Sequence, residues 1–200
     1  MKVIDEFMQD LSEDNTDLLL LLRETASMVA YYHNLLKHME LDTLTGLSGS
    51  NKYHKTLGTL KNNTEGIGVI YFDVNDLKYY NDNRGHKAGD LLLQKAAESI
   101  MFIANKDIQV FRVGGDEFVA LTTNHTMDDL EKVLEKWRDN LAVLNTRNDD
   151  IHCSIAVGFA VGNKGDDINS ILKLADERMY KNKQLIKSQK KKTDNCLFSK

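Results

Sequence analysis

Ile67-Gly68-Val69-Ile70-Tyr71-Phe72 is apolar at every position and rich in β-branched and aromatic residues, and it ends at Asp73. A strand without polar alternation is buried on both faces, so it belongs inside a sheet that carries helices on each side. The flanking sequence supplies those helices. Residues 51–60 read as helix, and 87–104 place Leu91, Leu92, Ala96 and Ile100 on one helical face. Residues 127–144 are amphipathic, and 169–186 read as a last helix. Short strands are predicted at 109–113 and 118–121, around Gly114-Gly115, with a further strand at 153–161. The double glycine reads as a two-residue hairpin turn, whose positive φ glycine tolerates because it has no Cβ. The order β-α-α-β-β-α-β-α predicts an α/β (α+β) domain: a central mixed sheet with a β-hairpin, flanked by helices. The absence of proline suits such uninterrupted elements.

The first forty residues follow another period. Leu18, Leu22, Thr25, Val29, Tyr32, Leu36 and Met39 alternate four- and three-residue spacings, a heptad seam on one helix. Leu21, Met28 and Leu35 widen it, and polar residues 12–15 are suited to cap its start. Such a stripe packs either on its own domain or on a second copy. Its breadth and terminal position favour the second copy, and a homodimer is expected. The expected division is a helical, dimerising segment at 1–41, a domain at 42–192 and a basic tail at 193–200. From residue 178 to 200 there are eight Lys or Arg and one Asp.

Composition removes several classes of function. With 200 residues, 42% hydrophobic and 28% charged, the chain can bury a core without disulfides or a structural metal. A net charge of −4 suits no broad nucleic-acid contact. Glycine aside, no hydrophobic run exceeds five residues, as at 18–22, too short for a membrane span. Asp5, Glu6 and Asp10 interrupt the start, so no secretory signal is read. Cys153 and Cys196 lack metal spacing and fit a reducing compartment. The expectation is a cytoplasmic protein with no nucleic-acid partner.

Three clusters carry chemistry. Asp73 ends the apolar strand, and Asp116 and Glu117 follow the double glycine. A carboxylate at a central strand end, facing acids on a hairpin, is an oxygen-ligand site suited to Mg²⁺, which binds one or two carboxylates and completes its shell with substrate phosphates. Neighbouring strand residues point to opposite faces, so Asp116 and Glu117 share a site only if the strand is irregular there. Taken singly, each acid has a structural reading: Asp76 as a helix N-cap, an acid after a glycine turn as a solvated group. Taken together, they favour metal-dependent phosphate chemistry. In the third cluster, Asn81 and Asp90 suit the donors of guanine's Watson–Crick edge, whereas adenine would leave the carboxylate unpaired. The structural alternative is that Asn81 closes one helix and Asp90 complements the dipole of the next.

Arg112-Val113-Gly114-Gly115-Asp116-Glu117-Phe118 contains Gly-Gly-Asp-Glu-Phe, and the chain resembles the GGDEF family of diguanylate cyclases. Five further stretches agree in order with that family: 42–47 (Asp-Thr-Leu-Thr-Gly-Leu), 72–82, Gly85-His86 with Gly89-Asp90, 156–160, and 176–183. The resemblance implies a palm-like nucleotidyl-cyclase fold and condensation of two GTP into cyclic di-GMP. It implies that Asp73, the Val74 carbonyl, Asp116 and Glu117 hold Mg²⁺, with Mn²⁺ as an alternative and two ions per site. Asp116 and Glu117 would also assist deprotonation of the 3′-hydroxyl. Lys78 would contact phosphate and stabilise transition-state charge. Asn81 and Asp90 would hold guanine, with His86 lining the pocket. Lys183 and Lys187 would clamp the terminal phosphates, and Gly114 would let the backbone approach the nucleotide. A solvated helix face is the plain reading of those lysines.

The chain also departs from the family pattern. Asn75 replaces the usual second Asp of D-x-D, and Gly49-Ser50 replaces Asn-Arg. The product-inhibition motif R-x-x-D falls at Asn105 and Ile108, where both charged residues are absent. The alternative function is a catalytically weak GTP- or dinucleotide-binding signalling module of the same fold. A product containing adenine is disfavoured by Asn81 and Asp90.

Overall fold

The computed structural model describes residues 16–60, 64–147 and 150–197. The chain divides between Glu40 and Leu41 into two units, each taken by itself. The first contains α1 (Thr16–Met39), a helix of 24 residues. Leu18, Leu21, Met28, Val29 and Tyr32 are exposed along it. The Thr25 hydroxyl donates to the carbonyls of Leu21 and Leu22, so this polar seam residue is satisfied within its own helix. The cap expected at 12–15 lies outside the described residues, as do the side chains of Leu35, Leu36 and Met39. No helix among the described residues is long and apolar enough to cross a membrane.

In the second unit, α2 (Ser50–Leu60) precedes β1 (Gly68–Val74), α3 (Leu77–Arg84) and α4 (His86–Met101). Then come β2 (Ile108–Arg112), β3 (Glu117–Thr122), α5 (Met127–Leu144), β4 (Ile155–Val161) and α6 (Ile168–Leu197). The sheet order is β2-β3-β1-β4, and every neighbouring pair is antiparallel. The expected α+β domain is present, but the mixed sheet is corrected to a wholly antiparallel one. Each helical crossover leads to a strand parallel to the one it left, and in both cases an antiparallel strand lies between them. This is the split βαβ arrangement.

The continuously apolar β1 feeds two cores. On one face Ile70, Phe72 and Val74 meet Leu92, Ala96 and Ile100 of α4 and Leu130, Leu134 and Trp137 of α5. The Phe72 and Trp137 rings stack edge-on at 5.0 Å, and the indole donates to Ser99 at 3.3 Å. On the other face Val69 and Val119 join Tyr53 of α2 and Ile168, Ile171 and Ala175 of α6. Helix α6 lies unusually close to β4. A Cβ at Gly158 would fall 2.0 Å from the Met179 nitrogen and 2.4 Å from the Ala175 carbonyl. The Asn182 side chain accepts the Val157 amide at 2.9 Å, fixing α6 one residue before Lys183. The helix continues well past 186, since no glycine or proline interrupts its Lys- and Gln-rich run.

The hairpin differs from expectation. Four residues, 113–116, separate β2 from β3, and neither Gly114 nor Gly115 has a left-handed φ. The demand at Gly114 is for space: a Cβ there would lie 2.8 Å from Glu117 Oε2. The turn is held from outside by Arg112, whose Nη2 donates to the Gly115 carbonyl at 2.8 Å and Nη1 to Asp42 Oδ1 at 2.9 Å. Asp42 also accepts the Thr45 amide and hydroxyl. Burial works to raise its pKa, but the hydrogen bonds from Thr45 and Arg112 outweigh it and hold the carboxyl below the usual range.

Candidate functional site

Asp73 is the sixth residue of β1 and only 6% exposed. A carboxylate is buried at that point only with a compensating charge, and α6 supplies it. Lys183 Nζ lies 2.6 Å from Asp73 Oδ1 and donates to Oδ2 at 2.7 Å. Although within ion-pair distance, Oδ1 has no aligned hydrogen bond and is buried. Directly opposite Asp73 in the ladder stands Glu117, the first residue of β3. Partial burial, followed by the charges of Asp116, Asp73 and Asp176, raises the Glu117 carboxyl above the usual range, while Lys183 pulls it back.

Asp116 lies in the bend before β3, so strand alternation does not bind it. Its carbonyl accepts the Val74 amide at 2.9 Å. Among the described residues the reciprocal bond to the Val74 carbonyl is not made, which leaves that oxygen available. Asn75 is buried, donates to Ser154 Oγ at 3.1 Å, and keeps its Oδ1 without a hydrogen bond. The family's second acid is thus replaced by an amide tied to the residue just before β4.

A cavity of about 420 Å³ opens beside these groups, lined by Val74, Asn75, Asp76, Lys78, Asp116, Lys183 and Lys187 among others. Asp76 stands just before α3 in a left-handed conformation, φ 63°, and makes no side-chain cap bond. This corrects its reading as a capping residue: its carboxylate instead accepts Lys190 at 2.8 Å. Asn81, His86 and Asp90 lie outside the cavity lining, at the junction of α3 and α4. That junction turns on Gly85, φ 81°. Asn81 packs against Gly89, where a Cβ would fall 1.9 Å from its Oδ1, while His86 and Asp90 are exposed.

The structure therefore gathers Asp73, Val74, Lys78, Gly114, Asp116, Glu117, Lys183 and Lys187 at one end of the sheet. The base-reading candidates sit on the next helical junction. Sequence reasoning missed Asn182 and Lys190; the only signal for either was its spacing from Lys183 on the same helix.

Among the described residues, no three His, Cys, Asp or Glu side chains converge into a ready-made metal cage. The donor chemistry still fits a hard divalent ion. The unbonded Asp73 Oδ1, the open Val74 carbonyl and the neighbouring acids are all oxygen donors, and Mg²⁺ takes its remaining ligands from water and substrate phosphates.

The split βαβ fold carries these acids and lysines together at one end of its sheet. Residues 39–189 match the family described as "Diguanylate cyclase, GGDEF domain". The chain belongs to the GGDEF domain family. It is 29% identical over 161 residues to the Escherichia coli K12 protein described as "Probable diguanylate cyclase DgcI", covering 80% of this chain and 35% of that protein. It is also 30% identical over 147 residues to the cyclic di-GMP phosphodiesterase PdeR of the same organism, covering 72% and 22% respectively. The chain thus spans about a third or less of these relatives' length. The coiled coil and GGDEF domain of DgcB from Caulobacter crescentus, solved in complex with c-di-GMP, superposes with a TM-score of 0.76 at 20% identity. That match covers 86% of this chain and 95% of the other, and shows a shared fold.

Proposed function

We propose that this chain condenses two GTP molecules into cyclic di-GMP as a Mg²⁺-dependent diguanylate cyclase. The observation that carries the reading is the buried Asp73 carboxylate in register with Glu117, next to a cavity that Asp116, Lys78, Lys183 and Lys187 line. In each half-reaction the 3′-oxygen of one GTP attacks the α-phosphorus of the other. A phosphorus–oxygen bond forms, the bond to pyrophosphate breaks, and the hydroxyl proton passes to a base. Asp116 and Glu117 are the acids placed to assist that deprotonation.

Asp73, the Val74 carbonyl, Asp116 and Glu117 would hold Mg²⁺ or Mn²⁺, which supplies charge neutralisation at the phosphates. Lys78 and Lys187 meet phosphate oxygens from two sides of the cavity. Lys183, paired with Asp73 here, exchanges that partner for phosphate. Asn81 and Asp90 read guanine, with His86 beside them. Gly114 leaves room for the Glu117 carboxylate and the nucleotide. One site holds one GTP, so a second copy of the chain is the expected partner.

Incubation of the purified chain with GTP and Mg²⁺, followed by chromatographic identification of the product, tests this. Cyclic di-GMP is expected from the wild type and none from a folded Asp73→Ala variant. A second reading, a nucleotide-binding module with little turnover, is favoured by Gly49-Ser50 in place of Asn-Arg. GTP binding without product at every protein concentration would establish that reading instead.

A further inference from the structure

Helix α3 has eight residues and lies between two backbone kinks, the left-handed Asp76 before it and Gly85 after it. So short a helix is not held by its own hydrogen bonds, and its neighbours decide how it lies. On one side Leu77 and Asn81 pack against Gly89 of α4, where a Cβ would not fit. On another, Tyr80 is buried, and its hydroxyl accepts the His152 amide at 3.0 Å and donates to the His152 carbonyl at 3.3 Å. One turn on, Arg84 stands 5.5 Å from the centre of the Tyr80 ring, and its Nη1 donates to the Asp150 carbonyl at 2.7 Å.

The segment that receives these bonds is itself fixed. Residues 150–154 have no regular secondary structure, yet side chains hold the backbone on both sides of His152. Lys95 of α4 donates to the Ile151 carbonyl at 2.5 Å, and the Asn145 side chain exchanges two bonds of 2.8 Å with the Cys153 backbone. Tyr80 and Arg84 therefore tie α3 to a held point and not to a free loop. With Gly89 on the other side, these straps set the roll of α3 about its own axis. At a side-chain radius of about 5–6 Å, a roll of about 10° carries a tip about 1 Å. Asn81 follows Tyr80 directly, and a hydrogen-bonding amide displaced by that much loses its alignment.

We infer that Tyr80 is a positioning residue for base recognition: its hydroxyl, with Arg84 as a second strap, sets the roll of α3 that aims Asn81 at guanine. The inference rests on the GTP reading and deepens it. Tyr80 acts through Asn81 and has no part in the chemistry.

The test is calorimetric titration of the full chain, in Mg²⁺, with the α,β-methylene analogues of GTP and of ITP, whose base lacks the 2-amino group. The wild type should prefer the guanine analogue. Tyr80→Phe keeps the buried ring and removes only the hydroxyl. It should lower that preference about fivefold, what one neutral hydrogen bond is worth, chiefly by weakening the guanine analogue. Arg84→Met, at an exposed position where the fold is not at risk, should lower it in the same direction. A merely structural role would weaken both analogues alike and leave their ratio unmoved. In an Asn81→Ala background, where the reader is gone, Tyr80→Phe should leave the ratio as it finds it. An unchanged preference in either single variant, the same fall in the Asn81→Ala background, or a wild type without preference would overturn the inference while the GTP reading stands. Failure of the wild type to bind either analogue would overturn both.

Discussion

Glu117 shows what the site costs the fold. Its carboxyl faces Asp73 across the ladder and stands beside Asp116, and partial burial with these charges raises its pKa above the ordinary 4.5. A raised value means that the folded chain binds this proton more tightly than the unfolded chain does. The stability so gained is complete below the unfolded value and is lost as pH rises through the folded one. At about pH 7 the ionised Glu117 therefore weakens the fold, and at about pH 4 it does not. Glu117→Gln should raise the melting temperature of the metal-free chain near neutrality, with no gain in acid, and should abolish turnover. Melting curves at the two pH values check this, and an equal shift at both would show that the charge is not the cause.

At the scale of elements, α6 decides where the cations stand, and Gly158 decides where α6 stands. Alanine there would drive a methyl into the backbone of residues 175 and 179, which cannot give way as a side-chain tip can. Gly158→Ala should lower stability by about 1–3 kcal/mol, read as a lower urea midpoint at unchanged slope, and should weaken nucleotide binding as Lys183 and Lys187 shift. Much of this layout was legible in the residues. The unbroken apolar run of β1 announced burial on two faces, and the 3.6-residue stripes of α4 and α5 announced what covers one of them. Beyond the hairpin pair, strand adjacency was not legible, because β3 enters between β1 and β2 through contacts distant in sequence. The double glycine was legible as a turn but its reason was not: the space Glu117 needs appears only once the two strands are paired. Lys190 escaped notice because its meaning depends on Asp76, 114 residues away. The departure at residues 105 and 108 was legible and has a structural counterpart. Ile108 is 1% exposed in β2, and Asn105 closes a local turn by accepting the Asp107 amide at 2.8 Å and donating to the Ile103 carbonyl at 3.3 Å. Neither residue offers the arginine fork and carboxylate that grip a phosphate and a guanine. Sub-micromolar cyclic di-GMP should leave initial rates unchanged, and inhibition that Asn105→Ala removes would contradict this.

At the scale of the whole molecule, the proposed reaction sets a condition that one chain cannot meet. Each site holds one GTP, and closing a cyclic dinucleotide needs two sites facing each other, each 3′-hydroxyl aimed at the other's α-phosphate. Holding two sites so replaces a rare encounter with an effective concentration far above that of free protein. Helix α1 carries the feature suited to this: Leu18, Val29 and Tyr32 of the heptad seam are 45%, 68% and 55% exposed, apolar residues that a second copy would cover. The seam spans only about three heptads and includes Thr25, so the expected dimer is modest and concentration-dependent. Leu22→Glu combined with Val29→Glu places like charges in that seam. The double variant should sediment as a monomer at concentrations where the wild type dimerises, and its rate per protomer should fall and recover in part as protein concentration rises. Rates and sedimentation measured over the same concentration series decide the matter. A folded double variant that stays monomeric and still turns over at the wild-type rate per protomer would remove α1 from the assembly and leave the facing of the two sites to the domain surfaces themselves.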